Sequence, residues 1–203
     1  VAGVLLNALF KDDVVRFDPA KFHWIGNAMD DVTVVTVFHT APYTTLDGIR
    51  QHEVTMGAGG ISSFDATNLF MLNALIGTKF KMVPGYKGTN EIFFAMEKGE
   101  ADSIAVSWVT AAYIQGEKLK SGELVPVYAV AGERLKELPN VPNVTEFARN
   151  PTEKAFADIY ASSALIGRAL AVPPQVPADR IAALRVAFEA MVKDPDFLKD
   201  AQD

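Results

Sequence analysis

The stretch Val54–Asp102, VTMGAGGISSFDATNLFMLNALIGTKFKMVPGYKGTNEIFFAMEKGEAD, decides the fold. It opens on a short apolar strand signal, Val54-Thr55-Met56, which breaks into Gly57, Gly59 and Gly60. Ser62 and Ser63 follow, both suited to cap a helix. Leu69, Leu72 and Ile76 then share one helical face, and Gly77 is a natural stop. A second strand, Phe80 to Val83, runs into a second glycine-bearing turn, Pro84-Gly85-Tyr86-Lys87-Gly88. Another helix follows, with Ile92, Ala95, Met96 and Gly99 on one side. Two successive strands therefore each end in a flexible turn that starts a helix. In a parallel sheet both turns emerge at one edge, where ligands bind. Helix N-termini carry free N–H groups and about half a positive charge, so the pair suits an anion.

Outward from this stretch, strand and helix signals alternate. Residues 1–10 read as the tail of a helix, followed by a polar link from Lys11 to Lys21. His23–Met29 and Val32–Phe38 read as strands; VTVVTVF is β-branched at every residue up to Phe38, the pattern of a strand buried on both faces. His39-Thr40-Ala41-Pro42 breaks the chain, and Thr45–Gln51 is a short helix capped by Thr44 or Thr45. Beyond the central stretch come a strand at Ser103–Val106, a helix at Val109–Lys120 and a strand at Leu124–Val130. The loop Leu138-Pro139-Asn140-Val141-Pro142 is followed by helices at Val144–Arg149 and Thr152–Ser162 and a strand at Leu165–Val172. Ala178–Val192 is an amphipathic helix with Ile181, Leu184, Phe188 and Met191 inward, and Pro195–Ala201 a short last helix. Such alternation implies an α/β fold with mostly parallel sheets flanked by helices.

Composition narrows the function. The chain has 203 residues, 49% hydrophobic and 22% charged, with a net charge of −6. An acidic chain lacks the basic footprint that nucleic acid requires. No cysteine is present, which removes disulfide and thiolate chemistry. No apolar run is long enough to span a bilayer, so no direct membrane insertion is expected. His23, His39 and His52 lack metal-ligand spacing, and no metal or cofactor is expected. There is no Gly-x-Ser-x-Gly elbow, and Gly57–Ser63 lacks the Gly-Lys-Ser/Thr ending of a phosphate loop. A binder fits these absences better than an enzyme does.

Four blocks carry a resemblance that covers nearly the whole chain in order. They are LLNALFKD with FDPAKFHWIGN; NALIGTKFKMVPGYKGTNEIFFAMEKGEAD; LPNVPNVTEFA; and AVPPQVPADRIAALRVAFEAMVKDPDFL. They resemble the tricarboxylate-binding receptors of tripartite tricarboxylate transporters, the Bug-type periplasmic solute-binding proteins. The resemblance implies a two-lobed periplasmic binding protein of type II that closes over a small carboxylate and presents it to membrane permease subunits. It also implies a periplasmic monomer. Members of that family extend further at both ends, so the chain is expected to be truncated at both ends. The split it implies puts 1–39 and 143–203 in one discontinuous lobe and 40–142 in the other, with the proline-bearing breaks between them. The candidate ligand residues are Gly59, Gly60, Ser62 and Ser63 in the first turn and Tyr86, Lys87, Gly88 and Thr89 in the second. Asp102, from the Gly-Glu-x-Asp turn, and Trp108, where a strand passes into a helix, complete the set. For Asp102 a plain turn-capping role stands beside the functional one; for Tyr86, plain packing does. The alternatives to transport are an enzyme of similar two-lobed fold acting on a small anionic substrate, or a carboxylate sensor.

Overall fold

The computed structural model describes residues 16 to 201; the helix expected over 1–10 lies outside them. The chain divides into two compact units, Asp31–Ala164 and a smaller one built from the flanking segments.

The larger unit is built on a five-stranded sheet. Its strands are β2 (Thr33–Phe38), β3 (Val54–Ala58), β4 (Phe80–Pro84), β5 (Ser103–Ser107) and β6 (Leu124–Val130), in the order β4-β3-β5-β2-β6. The β-branched run of β2 is buried at every position, as its sequence predicts. Its direction differs from the expectation: β2 is antiparallel to both β5 and β6. The sheet is therefore mixed, not mostly parallel. Only the neighbours joined through helical crossovers, β3 with β4 and β3 with β5, run parallel.

Helices close both faces. α2 (Phe64–Ile76) packs on β3, β4 and β5. On the other side, Ile92, Phe93 and Met96 of α3 (Thr89–Glu97) and Ala111 of α4 (Trp108–Ser121) form one buried cluster with Val34, Phe38, Ile104, Val106 and Ala129. The short α1 (Leu46–Gln51) is capped by Thr45, whose Oγ1 accepts from Gly48 N at 3.2 Å. Val144–Phe147, expected to be α-helical, is a 3-10 turn with a reciprocal cap between Asn143 and Glu146. α5 (Pro151–Ile166) is longer than predicted and takes Leu165 and Ile166 from the expected last strand.

The boundaries between the units also differ from the expected split. They fall after Asp30 and Ala164, not at His39–Pro42 and Leu138–Pro142. The cause is hydrogen bonding. β2 is paired along both edges inside the larger sheet. Asp31 N donates to Ala164 O at 2.9 Å, so the larger unit's two ends meet. Proline marks a local break in the backbone; a domain boundary lies where contacts thin out.

The smaller unit pairs β1 (His23–Asn27) antiparallel with β7 (Ala169–Val172). Asn27 Nδ2 donates to Leu165 O at 3.0 Å and Arg168 N to Met29 O at 3.0 Å, which tie its two segments together. α6 (Ala178–Met191) lies on β1, and Arg185 donates through Nε and Nη2 to Trp24 O at 3.0 and 2.9 Å. A side chain at Gly26 would start 2.2 Å from the Phe188 ring, so that glycine makes room for the helix. Of the residues expected inward on α6, Ile181 is buried, Phe188 and Met191 are half-buried and Leu184 is 43% exposed. Among the described residues, the two-stranded sheet covers only part of the stripe. α7 (Pro195–Asp200) follows, capped by Asp194.

Candidate functional site

The site is set by strand direction. Val54 pairs with Phe80 and Ala58 with Pro84, while Met56 pairs with Ser103, so β3, β4 and β5 end at one edge of the sheet. α2, α3 and α4 begin there, after Ser63, Gly88 and Ser107. The sequence points to the first two of these junctions and to Ser107-Trp108 as a third.

The first two turns lie against each other. Tyr86 N donates to Ala58 O at 3.3 Å. A Cβ on Gly59 would stand 3.3 Å from Tyr86 O and 3.6 Å from Ser63 Cβ, so a side chain there would crowd the second turn's backbone. Ser63 is the N-cap of α2; its Oγ accepts from Ala66 N at 3.2 Å, a bond worth about 1 kcal/mol. Gly88 precedes α3 with an extended backbone and supplies no side-chain cap. The first N–H groups of α3, on Thr89 and Asn90, have no partner within the helix and face outward along its axis. Glu91 reaches back from the first turn of α3, and its Oε2 accepts from Lys87 N at 2.6 Å. At the third junction, Ser107 Oγ accepts from Thr110 N at 3.4 Å, and Trp108 N donates to Val32 O at 2.8 Å.

Solved structures share this arrangement of elements. A TctC solute-binding protein from Polaromonas, without ligand, superposes with a TM-score of 0.67 at 21% identity, over 98% of this chain and 63% of its own. MatC from Rhodopseudomonas palustris, with bound malate, gives 0.66 at 19% identity, over 97% and 62%. The periplasmic binding protein BugD gives 0.60 at 16%, over 88% and 56%. This is the fold of the TctC- and Bug-type periplasmic solute-binding proteins. The chain spans less than two thirds of the length of each of these three. In sequence, no family model and no curated protein matches it. Among the described residues, no helix is long and apolar enough to cross a membrane.

On this TctC- and Bug-type fold the residues expected from the sequence fall into three groups. Gly59, Gly60, Ser62, Ser63, Lys87, Gly88 and Thr89 come together at the edge where β3 and β4 end. Tyr86 and Trp108 have their backbones there, but both are half-buried and pack against the core cluster of α3 and α4. The Tyr86 ring lies over Gly57, its Cε2 3.3 Å from where a Cβ would stand. Burial, with the charges of Glu100 and Glu91, pushes the Tyr86 phenol up. Its plain packing role is the one the geometry favours. Asp102 is the third case, and a correction. It precedes β5, so it lies at the opposite end of the sheet, about 16 Å from Ser107 at 3.3 Å per strand residue. Its Oδ2 accepts from Thr55 N at 2.8 Å and from Thr55 Oγ1 at 2.7 Å, pinning the start of β5 to β3.

One residue of this edge does not stand out in the sequence. Asp65 lies in the first turn of α2, and its carboxylate interacts with the N–H of Gly59. Burial raises its pKa, outweighing the lowering by the N–H groups of Gly59 and of Asp65 itself. A serine cap followed two residues later by an acid is the signal that could have found it. A raised folded pKa means that the protonated form is the one folding favours. That contribution is complete at acid pH and is lost as pH rises through the folded pKa, so ionised Asp65 costs stability at neutral pH. Asp65→Asn keeps the side chain's size and removes the charge. It is expected to melt above the wild type at pH 7, with the difference shrinking toward about pH 4. Thermal scans at both pH values check this; an unchanged difference between them would mean that the charge is not what matters.

Proposed function

We propose that this protein is a periplasmic solute-binding protein that captures a small carboxylate by lobe closure and delivers it to the permease subunits of a tripartite tricarboxylate transporter. It binds its ligand without transforming it. The observation that carries the reading is the convergence of three helix N-termini at one sheet edge, in a fold shared with a protein that holds malate. Of the three, α3 is the one whose N-cap supplies no side chain: Ser63 Oγ holds Ala66 N at α2 and Ser107 Oγ holds Thr110 N at α4, whereas Gly88 leaves the first N–H groups of α3 open and Glu91 turns back to Lys87 N. A ligand carboxylate is placed at Gly88 and Thr89, with Gly59, Gly60 and Ser62 of the neighbouring turn beside it. Partial positive charge at the helix start and several N–H donors suit an anion without a fixed arginine.

Calorimetry on the full-length protein with malate, citrate, glutamate and benzoate, against glucose, putrescine and a nucleotide as controls, tests the reading. At least one carboxylate is expected to bind with micromolar affinity, about −8 kcal/mol. Binding of the controls alone would refute it. Under the same reading, Asp65→Asn takes a negative charge away from the edge and binds the carboxylate more tightly than the wild type does.

A further inference from the structure

A polar pair is buried beneath the first turn of α2. Tyr160, on α5, is 1% exposed and Asn68, on α2, is 0% exposed. The Tyr160 hydroxyl donates to Asn68 Oδ1, and Asn68 Nδ2 donates to Phe64 O at 2.8 Å. The amide orientation follows from the second bond, because only Nδ2 can donate to a carbonyl. Phe64 is the first residue of α2, directly after its cap Ser63. In a regular helix the Phe64 carbonyl accepts only the N–H four residues on. Here it takes a side-chain donor as well, and that donor is itself held from another helix.

The pair is not required for packing. Two apolar side chains of similar size would fill the same space, and replacing both partners of a buried hydrogen bond is close to neutral for stability. Asparagine is also a poor helix former. What an apolar pair would lack is a directional hold on the Phe64 carbonyl. That carbonyl sits on the turn that presents Gly59, Gly60, Ser62 and Ser63. We infer that Tyr160 and Asn68 are positioning residues, fixing the first turn of α2 from α5 so that the ligand edge is formed before ligand arrives. The inference rests on the site proposed above.

Stability and affinity separate the two explanations when one partner, then both, are made apolar. Tyr160→Phe leaves Asn68 Oδ1 buried without a donor. It is expected to lower the thermal midpoint and to weaken the tightest of malate, citrate, glutamate and benzoate roughly threefold to tenfold, the span of one net hydrogen bond. Tyr160→Phe/Asn68→Leu removes both polar groups. Its midpoint is expected to return toward wild type while its affinity stays low, because the hold on Phe64 is still missing. If affinity recovers together with the midpoint, the pair is only structural and the inference is overturned. Should the double variant misfold, amide exchange in Tyr160→Phe alone decides. Faster exchange confined to the first turn of α2 is expected; exchange that is unchanged there, or raised evenly across the sheet, overturns it. A wild-type protein that binds none of the four carboxylates refutes the proposed function instead, and the exchange pattern still tests the hold on α2.

Discussion

Gly57→Val is expected to destabilise the larger unit severely, by overpacking the layer between β3 and α3. Gly57 lies in β3, buried, and faces α3. A Cβ there would stand 2.5 Å from Ile92 Cγ2 and 3.3 Å from both Ile92 Cγ1 and Tyr86 Cε2. Ile92 is 1% exposed and sits inside the core cluster, so it has no open space to move into. β3 cannot retreat either, because it is paired with β4 along its length and bridged to β5. Valine adds three carbons to this layer, and α3 must lift to admit them. Overpacking of this kind costs about 1–3 kcal/mol and more where nothing yields. For a chain of this size each kcal/mol lowers the midpoint by about 2–4 °C. Ile92→Ala removes the colliding carbons, so the double variant Gly57→Val/Ile92→Ala is expected to be more stable than Gly57→Val alone. Urea and thermal unfolding of the three variants measure this. A Gly57→Val protein that unfolds like the wild type would show that α3 does not press on β3.

The sequence is legible where the signal is local. The strand at Val54, the glycines after it, the cap at Ser63 and the helix stop at Gly77 each rest on neighbours a few residues away, and each is found in the structure. The burial of β2 is equally local, since β-branched residues on both faces require cover on both faces. The direction of β2 is not local. It depends on which strands flank it, and those lie some seventy to ninety positions further along the chain. The unit boundaries are hidden for the same reason: the prolines at Pro42 and Pro142 are visible in the sequence, but the pairing that keeps β2 with the larger unit is not.

At the site, backbone positions are easier to read than side-chain directions. A parallel pair of strand–turn–helix units puts both turns at one edge, so the glycines and Ser63 follow from order alone. By the same rule a residue preceding a parallel strand belongs to the far edge, which is where Asp102 lies. For Asp102 the motif match alone leaves a ligand role and a turn-capping role side by side, and the strand order adds the edge on which it stands. Tyr86 is different. Whether its ring turns outward over the turn or back over Gly57 is decided by the space that Gly57 and Ile92 leave, a matter of packing between elements.

Gly88→Val is expected to separate binding from folding. The backbone at Gly88 is extended, with φ 175° and ψ 177°, which valine adopts. Nothing stands within 4 Å of where its Cβ would be, and the position is exposed, so the variant is expected to melt like the wild type. Valine is stiff at χ1, and its two methyl groups would stand at the mouth of α3, beside the N–H groups to which a carboxylate is assigned. Displacing the ligand from those donors costs at least one charge-assisted hydrogen bond, about 1.5–3 kcal/mol, and so at least about a tenfold loss of affinity. Gly88→Ala projects only one carbon and is expected to lose less. Calorimetry with the tightest carboxylate, beside a thermal scan of each variant, reads both quantities. Full affinity in a folded Gly88→Val protein would remove the carboxylate from α3 and leave the third junction, at Ser107 and Trp108, as the place to look.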